Sequence, residues 1–198
     1  YGRVARLLGK AVGRRLTSVE CCLLIDEAAV TIVAGNIRRS AGMRQFASND
    51  TSASGAKDNL WQQDAEGNWR IDPERDALRM ANHTRVYHTR PSREVLLEAV
   101  TRQFHSGEGA IQFAPEAIAR SNADLLSTPE LRREFIDIYC DQGKEEAGRW
   151  LNLNHGPIAE DELEHRLGRY GLNPCGEILG ADFHCNLAEV HLNQIDPS

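Results

Sequence analysis

Asn173-Pro174-Cys175-Gly176-Glu177, with Cys185 ten residues beyond its cysteine, is the stretch that decides how this chain is read. An amide, a thiol and a carboxylate stand within five residues, on a segment that Pro174 and Gly176 bend into a tight loop. Pro174 fixes its own φ and biases Asn173 away from helix, while Gly176 tolerates backbone angles that other residues avoid. Three different side chains can therefore converge on one small ligand from a single loop tip. In the run that follows, Ala181-Asp182-Phe183-His184-Cys185-Asn186-Leu187-Ala188-Glu189-Val190-His191-Leu192, a strand would put Phe183, Cys185 and Leu187 on one face. A thiol on a loop tip opposite a thiol on a strand points to redox chemistry on a bound substrate.

Upstream of the loop, strands alternate with helices, which predicts an α/β organisation. Residues 1–34 read as mostly helical, with Thr17 or Ser18 capping a second helix that ends at Gly35. A strand is expected over Ala41–Phe46. Residues 47–70, rich in Ser, Asp, Asn, Gly and Gln, read as a surface excursion with no core of its own. Thr84–Tyr87 alternates like a strand, Ser92 caps a helix, and Ala110–Phe113 reads as a buried strand. Pro115–Ser121, the segment from Thr128 to about Cys140, and Ala159–Arg169 are expected helices. His83, His88, His105 and His155 have no partners by spacing and read as surface or loop residues. Cys21 and Cys22, within an apolar helical run, and Cys140 read as structural.

Asn-Pro-Cys-Gly-Glu followed by Phe-His-Cys-Asn-Leu-Ala-Glu-Val closely resembles the finger loop and next strand of ribonucleotide reductases. The wording is most similar to the adenosylcobalamin-dependent (class II) branch, in particular the ribonucleoside-triphosphate reductases. Ala34-Gly35-Asn36-Ile37-Arg38-Arg39-Ser40-Ala41 resembles the substrate-specificity loop of the same family, and Met80–Thr84 and Ser106–Ala110 also fit. The resemblance spans nearly the whole chain and implies residues 1–198 to be a central, incomplete portion of a ten-stranded α/β barrel with a finger loop at its centre. A start at Tyr1 without Met and an end at Ser198 fit the expectation of a fragment of a longer enzyme.

The resemblance implies reduction of ribonucleotides, with triphosphates expected, to 2′-deoxyribonucleotides. Cys175 would become a thiyl radical that removes the 3′ hydrogen of the ribose, the first radical coming from adenosylcobalamin. Glu177 would act as base toward the 3′-hydroxyl and Asn173 would orient the ribose hydroxyls. Cys185 would be half of the reducing dithiol, its partner lying upstream of Tyr1, with thioredoxin or a similar dithiol restoring the pair. Arg38, Arg39 and Ser40 would sense a deoxynucleotide effector. Taken without the resemblance, the same residues read as turn chemistry, an inert loop cysteine and cations at a helix C-terminus. Alternatives from other classes are a reductase with a different radical source and a regulatory nucleotide-binding module. Zinc held by Cys175, His184 and Cys185 fits no familiar spacing, and adjacent strand residues point to opposite faces, so no metal site is expected.

The bulk composition agrees with a folded domain: 41% hydrophobic and 26% charged residues over 198 positions. A net charge of −6 argues against a broad surface for a nucleic-acid polymer, though a few arginines suffice for a free nucleotide. No apolar run approaches a membrane span, and five cysteines in unpatterned positions fit a reducing compartment, hence the cytoplasm.

Overall fold

Three parallel strands organise the chain. The computed structural model describes residues 1–32 and 42–178 in full and the backbone alone of 33–34 and 38–39. Strands β3 (Gly42–Ala47), β6 (Ala81–Tyr87) and β7 (Ala110–Phe113) form one sheet in the order β3-β6-β7, every pair parallel. Parallel neighbours require a crossover between them. The first is built from a short helix α3 (Thr51–Ser54), an antiparallel hairpin of β4 (Trp61–Gln63) and β5 (Trp69–Ile71), and a 3₁₀ turn (Asp76–Met80). The second is helix α4 (Arg93–Ser106), started by the Ser92 hydroxyl accepting from Val95 N–H and closed by Gly107 in the left-handed region.

Two helices precede the sheet, α1 (Gly2–Lys10) and α2 (Ser18–Val30), the latter held by a full capping box between Thr17 and Glu20. A two-residue antiparallel ladder joins β1 (Val33–Ala34) to β2 (Arg38–Arg39). After β7 come α5 (Ala114–Ser121), α6 (Pro129–Gln142), α7 (Lys144–His155) and α8 (Glu160–Leu167). Ile118, Leu126, Phe135 and Leu151 are fully buried among them and form the larger core. A smaller core joins Leu23 of α2 to Ala56, Ala77 and Leu78 of the first crossover.

Several expectations change here. Residues 47–70 are not coreless: Ala53, Ala56 and Leu60 are buried, because the crossover must return under α2 to reach β6. Cys21 is exposed rather than packed, since it faces away from the side of α2 that carries Leu23; Cys22 is half-buried. His88, His105 and His155 are exposed, but His83 is buried at the centre of β6. Helix α7 was not anticipated. The mixed α/β organisation is as expected, whereas the described residues form a small parallel sheet of three strands and show no ten-stranded barrel. Among the described residues no helix is long and apolar enough to cross a membrane.

The register divides the sheet into two faces with different duties. Gln45, Asn82, Thr84 and Gln112 share one face; Arg44, Phe46, His83, Arg85 and Phe113 share the other. The second face meets helices: Arg44 pairs with the fully buried Asp26 of α2, and Arg85 donates to Ser54 of α3. The first face meets the Asn173–Glu177 loop.

Candidate functional site

The loop is a closed hairpin tip. Leu172 and Ile178 form an antiparallel bridge at its base. Inside it, Gly176 N–H donates to Asn173 C=O at 3.0 Å and Asn173 N–H to Glu177 C=O at 3.0 Å. Asn at the first turn position, Pro at the second and a glycine at the fourth are the residues a type I turn favours. Among the described residues Asn59 alone of the non-glycines has positive φ, so Cys175 sits in ordinary backbone and the turn is not type II. The left-handed conformation falls on Gly176 at φ +89°, where a side chain would be strained. This is the geometry of a type I turn completed by a left-handed glycine, common in short hairpin loops.

Asn173 braces the tip from within. Its Oδ1 accepts from Cys175 N–H at 3.0 Å and from Glu177 N–H at 2.9 Å. Both backbone donors beside the thiol and the carboxylate are thus fixed by one side chain. Its Nδ2 makes no hydrogen bond to the described residues, which leaves a donor for a ligand. Cys175 is exposed with a free thiol. Glu177 is half-buried, and its Oε2 is fully covered without a hydrogen-bond partner among the described residues. A covered carboxylate oxygen with no donor is costly unless a ligand or further chain supplies one.

The loop is held to the sheet by amides from all three strands. Gln45 of β3 and Gln112 of β7 each donate to Tyr170 C=O, at 2.9 and 2.8 Å, and Gln45 Oε1 accepts from Leu172 N–H at 2.9 Å. Gln45 also donates to Gln112 Oε1. Asn82 of β6 donates to Pro174 C=O at 2.7 Å, one residue before the cysteine. These three amides were not singled out from the sequence. Gln45 and Gln112 lie in strands whose alternation signals burial, and a buried amide in a strand is the clue that could have found them.

The structure therefore brings Asn173, Cys175 and Glu177 together at one tip. Cys185 and Ser40 lie outside the described residues, as does the strand expected over 181–192; Arg38 and Arg39 are placed in β2 by backbone alone. The zinc alternative shares that limit, since His184 and Cys185 are also outside; among the described residues no group of three metal-ligating side chains is found. Two clefts among the described residues lie away from the loop. One of about 980 Å³ between Tyr87, Arg90, Phe113 and Arg133, and one of about 590 Å³ around Lys57, His83 and Arg85, contain no loop residue. Both open beside the helix-bearing face, opposite the loop. No protein-family model matches this chain, and no curated protein or solved structure matches it.

Proposed function

We propose that this chain belongs to the catalytic barrel of a ribonucleotide reductase, and that Cys175 carries the radical that acts on the substrate ribose. One observation carries the reading. A cysteine stands at the tip of a cross-braced turn, flanked by an amide donor that no described residue engages and a half-buried carboxylate, and the turn is tied to one face of a parallel sheet whose other face meets helices. In a closed α/β barrel that face is the interior, so the same ties would hold the finger loop inside a ten-stranded barrel.

On this reading the chain's own groups divide the work. The Cys175 sulfur radical takes the 3′ hydrogen atom and forms the S–H bond; that hydrogen is returned at the end of the cycle. Glu177 takes the proton of the 3′-hydroxyl, which helps the substrate radical release its 2′-hydroxyl as water. Asn173 Nδ2 donates to a ribose hydroxyl while its Oδ1 keeps the tip rigid, the kind of positioning that decides rate. Cys185 and a second thiol supply two electrons and two protons and end as a disulfide. The cofactor implied is adenosylcobalamin, which when bound supplies the first radical through homolysis of its cobalt–carbon bond. The exposed thiol is compatible with approach by so large a group. Triphosphate substrates, a deoxynucleotide effector acting at Arg38, Arg39 and Ser40, and a thioredoxin-type reductant complete the proposal.

The test is formation of 2′-deoxyribonucleotide by the intact protein with a dithiol, with and without adenosylcobalamin, beside Cys175→Ser. The expected result is turnover that needs the cofactor and is lost in the variant. Turnover without it would move the enzyme to another radical source. A folded protein that binds nucleotides without turnover would be a regulatory module instead.

A further inference from the structure

On the face of the sheet opposite the loop, the cleft of about 590 Å³ has the size of a small-molecule site. Its floor is Arg85, a buried guanidinium whose Nε donates to Ser54 Oγ and whose Nη1 donates to Gly109 C=O. Neither partner carries charge, and no carboxylate pairs with Arg85 among the described residues. A buried cation compensated only by neutral acceptors is costly, and an incoming anion would offset that cost. Beside it His83 is 4% exposed, and its Nε2 is covered with no partner among the described residues. Lys57 and Arg102 line the same cleft. Of the carboxylates there, Glu108 is already matched by Lys57 at 2.7 Å and Asp58 is exposed. Phe46, Leu60 and Trp61 supply an apolar wall.

The backbone makes room for this arrangement. Gly109 has φ +98°, and a Cβ there would lie 2.5 Å from Arg85 Nη1. Any side chain at 109 would push the guanidinium off the cleft floor.

We infer that this cleft binds a small phosphorylated molecule, its phosphate on Arg85 with Lys57 and Arg102 beside it and its organic part against Trp61 and Phe46. The observation that carries this is a buried guanidinium at the floor of a cleft with no carboxylate paired to it among the described residues, beside two further cationic side chains. The site is separate from the Cys175 loop and stands whether or not that loop performs ribonucleotide reduction.

The experiment is calorimetric titration of the intact protein with phenyl phosphate, chosen because it is no nucleotide, against benzyl alcohol as the uncharged control. One saturable site is expected for phenyl phosphate and none for benzyl alcohol. Removing one charged contact weakens binding by about tenfold or more. That loss is expected for Gly109→Ala, which displaces Arg85, and for Arg102→Glu at the exposed rim, where folding is not at stake. Arg133→Glu, on the other cleft, should leave the affinity unchanged. Absence of binding to the folded protein would overturn the site, as would binding that both cleft variants leave intact or that Arg133→Glu removes.

Discussion

Asn173 shows how much a single residue can do here. One side-chain carbonyl oxygen holds the amides of Cys175 and Glu177, beside the backbone hydrogen bonds that close the turn. Asn173→Ala removes both hydrogen bonds, each worth about 1 kcal/mol locally, but the loop is peripheral to the cores, so the melting temperature should hardly move. Displacement of catalytic atoms by about 1 Å can cost about a hundredfold in rate. The variant should therefore lose about that much deoxyribonucleotide formation while remaining folded by circular dichroism. A fall in folding stability of matching size would show a structural residue instead. The turn itself was legible in the sequence, because Asn, Pro and Gly act through their own backbone geometry. The amides that hold it were not: Gln45 lies 125 residues from Tyr170, and no local pattern reports such a contact.

At the scale of elements, β6 is the unusual one. A central parallel strand normally reads as a run of Val, Ile and Leu, yet Ala81–Tyr87 contains Asn82, His83, Thr84 and Arg85. It serves a loop on one face and a charged cleft on the other. Sequence alternation revealed only its Thr84–Tyr87 half, because polar residues hide a buried strand. Burial, with Lys57, Arg44 and Arg85 nearby, holds the His83 imidazole down to about 4 from its usual 6.5. The folded state thus prefers neutral His83, and the unfolded chain binds the extra proton between those values. This contribution to stability is complete above pH 6.5 and is lost as pH falls toward 4, at up to about 1.4 kcal/mol per pH unit. Urea unfolding across that range should show the loss, and His83→Gln should flatten it; an unchanged slope would place the titration elsewhere. Helices with chemical start signals, such as those capped by Thr17, Ser92 and Thr128, were readable in advance. Helix α7 was not, because it starts at Gly143 with no side-chain cap and carries Gly148 in its middle. Its place is set by packing, with Ala147 and Leu151 buried against its neighbours.

In the molecule as a whole, the helices before the sheet are tied to it by a buried ion pair. Asp26 of α2 is fully buried against Arg44 of β3; burial pushes its carboxyl above the usual range while Arg44 pulls it back. Arg44→Met would strand that carboxylate, at a cost of about 3–5 kcal/mol in unfolding free energy. Adding Asp26→Leu should recover most of it, since an apolar pair of similar volume can replace a buried ion pair. A double variant no more stable than the single would deny the pair this role. The α/β organisation came through in the alternation of strand and helix patterns, whereas no barrel is formed by the three parallel strands of the described residues. The central claim concerns one bond, the 3′ C–H of a ribose broken by the Cys175 sulfur. The most direct measurement is turnover of a ribonucleotide carrying deuterium at C3′. A primary isotope effect on kcat/KM with the label back at C3′ in the product, and no turnover in Cys175→Ser, is the predicted result. Equal rates for labelled and unlabelled substrate, with Cys175→Ser still active, would contradict it.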